Sequence, residues 1–113
     1  MALKTLTKQE KIELEQVRIL KKIIEKSGIQ VRRENLTRGN SYRVKSGICM
    51  HDNTQLFFVD KRLPFAQQIS MLTDLIIDYS IHIDADDLEN LNPQTSSILL
   101  VKLNQEQTIE AAS

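Results

Sequence analysis

Residues 28–79, GIQVRRENLTRGNSYRVKSGICMHDNTQLFFVDKRLPFAQQISMLTDLIIDY, run three strand-like segments into an amphipathic helix, and that order decides the fold. Ile29 to Arg33 alternates apolar and polar residues. Tyr42 to Met50 does the same, with Tyr42, Val44, Ile48 and Met50 on one face and Arg43, Lys45, Gly47 and Cys49 on the other. Side chains of an extended chain point to opposite sides in turn, so both segments read as strands with one buried face. Asn35 to Ser41 between them is turn chemistry. His51-Asp52-Asn53 makes a short hairpin turn into Gln55–Asp60, where Leu56-Phe57-Phe58-Val59 is apolar on both faces, the pattern of a central or doubly covered strand. Leu63-Pro64 opens a helix, because the missing proline N–H has no partner in a first turn. Phe65, Ile69, Leu72, Ile76 and Tyr79 then recur at helical spacing, with Met71 and Leu75 beside them.

Upstream, Thr7-Lys8-Gln9-Glu10 is a capping box that starts an N-terminal helix, and Gly28 can take the left-handed conformation that closes it. The apolar residues Ile12, Leu14, Val17, Ile19, Leu20, Ile23 and Ile24 cover roughly 220° of that helix, wider than one buried stripe requires. One side is expected to meet the sheet and another side something else. Downstream, His82 to Leu88 reads as a turn capping a short helix. Asn92-Pro93 is a second cap-plus-proline start, for a helix from Gln94 to about Leu103. Ile98-Leu99-Leu100-Val101 reads as well as a strand. The polar residues 104–113 lack periodicity and are expected to form a frayed tail.

The expected architecture is therefore α+β: an N-terminal helix, a three-stranded mainly antiparallel sheet, an amphipathic helix, then one or two short C-terminal helices. With 113 residues, 41% of them hydrophobic, the chain suits a single domain over 1–113, with an ordered core of about 7–103. No long uncharged apolar run and no apolar stretch behind Lys4 indicate a membrane span or secretory signal, so a cytoplasmic location is expected. Cys49 is the sole cysteine and has no internal disulfide partner. The zero net charge conceals a polarity. Residues 1–62 hold 14 Lys/Arg against 7 Asp/Glu, and residues 63–113 hold 1 against 8. Such halves either meet within the fold or favour association between molecules.

In order and in a few residues, this stretch resembles the start of the ImmA/IrrE-type zinc metallopeptidases. The resemblance rests on Gly28-Ile29-Gln30-Val31, the strand Leu56 to Val59, and Leu63-Pro64 with Gln67-Gln68. That resemblance implies a zinc-binding HExxH helix next, but the helix here reads Leu72-Thr73-Asp74-Leu75-Ile76 and carries no ligand pair. Peptidase activity is not implied. Gly47-Ile48-Cys49 and Lys61-Arg62-Leu63-Pro64 also resemble the hairpin and "K-x-L-P" turn of a small bacterial α+β family, which supplies no function.

Other chemistry is sparse. His82, Asp84 and Asp86 would share a face if extended, yet aspartates before a helix are what capping favours, and no metal or cofactor is expected. Cys49 and His51 lie at i, i+2 without an orienting third residue, so no catalytic group is assigned and no enzyme is expected. Among Arg32, Arg33, Arg38, Arg43 and Lys45, alternation turns Arg32, Arg43 and Lys45 away from the core. With Phe57 or Phe58 nearby they could hold the phosphates and bases of single-stranded nucleic acid. The leading expectation is instead a non-enzymatic interaction protein, a homodimer or a partner of another bacterial protein. Its interface is expected at Leu14, Val17, Phe57 and Val59, because the wide first helix and the two-sided third strand imply more apolar surface than one small core uses.

Overall fold

The computed structural model describes residues 5–34 and 48–112, with the side chains of His51 and residues 105–112 outside the description. The elements follow as α1 (Lys8–Lys26), β1 (Ile29–Glu34), β2 (Ile48–His51), β3 (Thr54–Asp60), α2 (Phe65–Asp78), α3 (Ala85–Asn90) and α4 (Pro93–Ala112). This is an α+β fold: an N-terminal helix, a three-stranded mixed sheet, then three helices.

Local chemistry places the boundaries. The Thr7 hydroxyl accepts from the Glu10 amide, and the Glu10 carboxylate accepts from the Thr7 amide, both at 3.1 Å. Gly28 at φ 99° then turns the chain into β1, a conformation that strains any residue with a Cβ. Asp52 and Asn53 both take positive φ, 50° and 64°, in the two-residue turn that pairs His51 with Thr54. Pro64 is the N-cap of α2. The Asn92 side chain accepts from the Thr95 amide at 2.8 Å to cap α4, with Pro93 first in the helix.

The sheet order is β1-β3-β2, so the doubly apolar strand is central. β2 pairs antiparallel with β3, whereas β1 pairs parallel with it, Ile29 opposite Gln55 and Val31 opposite Phe57. The sheet is thus mixed rather than mainly antiparallel. Alternation determines which face a strand buries but not which neighbour it chooses, and the long stretch between β1 and β3 supplies the connection a parallel pair needs.

The register puts Ile29, Val31, Phe57 and Val59 on one face, in one core cluster with Val17, Leu20 and Ile24 of α1 and Ile69, Leu72 and Ile76 of α2. Leu56 and Phe58 point to the other face and are also buried. The broad apolar arc of α1 is used within the chain: it contacts β1 on one side and α2 and α3 on the other. Gln16 of α1 is buried too, its Oε1 accepting from the Asn92 amide at 2.9 Å.

Residues 98–101 are helical, and α4 continues to Ala112 where a frayed tail was expected. Residues 104–112 contain no proline or glycine and are rich in Gln, Glu and Ala, so propensity carries the helix without an amphipathic period. Among the described residues, no helix is long and apolar enough to cross a membrane.

Candidate functional site

Three of the four residues expected at an interface lie in the core. Val17, Phe57 and Val59 are at most 4% exposed and belong to the chain's own core, while Leu14 is half-buried. The second side of α1 faces α2 and α3, and both faces of Leu56–Val59 are already buried in a single chain, so the apolar surface left by these features is confined to the start of α1, where Ile12 is exposed and Leu14 half-buried.

Arg32 does lie on the sheet face opposite the core, but its Nε is 3.0 Å from a Glu34 carboxylate oxygen. Arg43 and Lys45 lie outside the described residues. Phe58 shares the face of Arg32 and is 8% exposed, too covered for a base to stack on it.

Asp84 is the N-cap of α3 and is engaged by two partners, His82 Nε2 at 3.3 Å and Lys26 Nζ at 3.2 Å, while Asp86 is exposed in the first turn. No cluster of three or more potential metal ligands occurs among the described residues. Cys49 is half-buried on β2, and the His51 side chain lies outside the described residues.

Three basic side chains bridge elements of the fold. Lys26 Nζ donates to Asp87 at 2.6 Å as well as to Asp84, so the basic and acidic halves of the chain meet here. Asp87 is buried. Its hydrogen bond to Lys26, followed by that of Asp84, raises the ammonium above its ordinary value; the same contact with Lys26 lowers the Asp84 carboxyl. Lys102 of α4 donates to Thr73 Oγ1 at 2.6 Å and to the Ser70 carbonyl at 2.8 Å, and pairs with Asp74 at 2.7 Å. Arg33 alone ends on a neutral group: its Nε donates to Gln68 Oε1 at 2.9 Å. Gln68 is fully buried and held in turn by its Nε2, which donates to the Lys61 and Leu63 carbonyls at 3.3 and 2.8 Å. Arg33 follows Arg32 in the alternation and so shares the helix-facing side with Val31, a signal present in the sequence. In the sequence Gln68 stands out only as part of the Gln67-Gln68 pair that shares in the family resemblance, which gives it no role.

The remaining feature is on α4. Thr95 and Leu99 are buried on its inner side, where the helix packs on α2, with Ile98 partly buried beside them. Leu100, Val101 and Leu103 are 59%, 54% and 41% exposed. The helix is therefore apolar nearly all round between residues 98 and 103 but covered on one side only.

No family model matches the chain, and neither does any curated protein or solved structure.

Proposed function

We propose that this chain is a non-enzymatic protein-interaction domain that self-associates through the outward face of α4. The supporting observation is the exposure of Leu100, Val101 and Leu103 on a helix whose opposite side is already buried. A helix that is apolar all round is normally covered all round, and here the chain covers half of it. A second copy is a sufficient occupant, since a two-fold contact needs only one self-complementary patch.

The magnitude sets where to look. Burying the exposed halves of six such side chains, three per copy, gains about 1 kcal/mol each by area. Association costs at least about 4 kcal/mol. The surplus is at most about 2 kcal/mol, so the dimer is weak, of millimolar or poorer affinity. Light scattering at protein concentrations carried into the millimolar range, and at two salt concentrations, tests it. The expected result is a dimer at both salts that Leu100→Asp and Val101→Asp each convert to monomer. A monomer at every concentration, or a dimer indifferent to both substitutions, overturns the proposal. A dimer lost only at high salt transfers the contact to the opposed charges of the two halves.

A further inference from the structure

We infer that Arg33 is the anchor of a phosphate-binding site at the open edge of the sheet, a site independent of the α4 face. Among the described residues β1 is an edge strand, and an open groove of about 440 Å³ runs along it between Lys21 and Glu25 of α1 and Arg32 and Arg33 of the strand. Arg33 is the fifth of the six residues of β1, opposite Val59 in the parallel register.

The guanidinium is positioned but not neutralised. Its Nε is held by Gln68, whose own amide is fixed by two backbone carbonyls, so the fork has a set direction. No carboxylate lies within ion-pair distance of Arg33 among the described residues, and residues 35–47, which follow β1, contain no Asp or Glu. Among the described residues no partner takes the two terminal nitrogens, which suit a ligand with two oxygens on one centre, the geometry in which arginine binds phosphate bidentately.

Surrounding charge favours a phosphate over a single carboxylate. A helix rises 1.5 Å per residue and a strand about 3.3 Å, so five strand residues beyond the turn at Gly28 stand level with about eleven helix residues before it. That brings Arg18 opposite Arg33, and burial together with the Arg18 charge lowers the Arg33 guanidinium from its ordinary value. Lys21 lines the same groove. Of the two acids there, Glu34 is engaged by Arg32, leaving Glu25 against Lys21 and Arg33, while Arg18 is 3.9 Å from Glu15.

The test uses the full chain and inorganic phosphate, with acetate and chloride at matched ionic strength. Side-chain NMR signals of the Arg33 Nε–H and the Gln68 amide are followed during titration. Phosphate is expected to shift both saturably at millimolar concentration. Arg33→Lys, which keeps the charge and loses the fork, should weaken binding at least tenfold, and Arg62→Met, a cation already paired with Asp60, should leave it unchanged. Shifts equal to those with chloride, or a midpoint unaltered in Arg33→Lys, overturn the inference. An acetate midpoint matching that of phosphate overturns the assignment to phosphate. A short single-stranded oligoribonucleotide in place of phosphate distinguishes the source. Tighter, Arg33-dependent binding supports a polymer's phosphates, and equal binding supports a small phosphate ester.

Discussion

The α2–α4 junction and the β1 edge each draw a cation in from the surface, and they complete it differently. At the junction, Lys102 meets the Asp74 carboxylate, a carbonyl and a hydroxyl, so its charge and its donors are used up in tying one helix to another. At the edge, Arg33 meets an amide that fixes its direction and leaves its charge unmatched. The first cation is neutralised within the fold; the second is held in place by a neutral group. The other end of the Gln68 amide, Nε2, closes the turn before α2, so this side chain has a structural task at Lys61 and Leu63 and, through Oε1, a positioning task at Arg33.

The largest effect is expected where those tasks coincide. Gln68→Leu fills a fully buried site with a side chain of similar volume, but it strands two carbonyls and removes the Arg33 anchor. Loss of these bonds should cost about 2–3 kcal/mol of stability, because buried polar groups left unpaired pay their desolvation. Urea unfolding measures it. A cost below about 1 kcal/mol would mean that the turn is held by other contacts.

The two cations themselves come next. Lys102→Met should destabilise by about 1–2 kcal/mol, since hydrogen bonds to the Ser70 carbonyl and Thr73 hydroxyl are lost on the buried side of α4. Arg33→Met should cost under about 1 kcal/mol: one hydrogen bond goes, while relief of a desolvated charge beside Arg18 offsets it. Paired unfolding curves decide the matter. If the Arg33 variant is the less stable of the two, the guanidinium is a structural cation like Lys102 and the contrast between the regions disappears.

Much of this architecture was legible from the chain because its signals are local. The Thr7–Glu10 box, the Asp52-Asn53 turn, the apolar run of β3 and the Asn92-Pro93 start each act within a few residues, and each appears where the spacing puts it. What escaped is non-local. Alternation could not tell that β1 joins β3 in parallel, and helical spacing could not tell that the broad arc of α1 is shared between β1, α2 and α3. Those two gaps placed Val17, Phe57 and Val59 at a surface when they are core. Gln68 was illegible for a related reason: a glutamine following another glutamine near a helix start reads as solvent-facing until the carbonyls it satisfies are seen. The outward apolar face of α4 was hidden by ambiguity, since Ile98-Leu99-Leu100-Val101 suits a buried strand as readily as a helix.

The smallest effect sharpens the comparison through pH. Lys26, at the surface, is the third of these cations, and unlike Arg33 it is paired, with Asp84 and Asp87. The folded Asp84 carboxyl is lowered, so its contribution is present above the unfolded carboxyl value near pH 4 and is lost as pH falls through the lower folded value. The folded Lys26 ammonium is raised, so its contribution is complete below about pH 10.5 and is lost only as pH rises through the higher folded value. Between those limits the pair is constant. Urea midpoints from pH 6 down to pH 3 should therefore fall further for the unmodified chain than for Asp84→Asn, and the difference should shrink in high salt because Asp84 and Lys26 are half exposed. Arg33 lacks a carboxylate partner among the described residues, so Arg33→Met should show the same acid dependence as the unmodified chain. An acid limb flattened by Arg33→Met would reveal a carboxylate coupled to that guanidinium and place it with the paired cations.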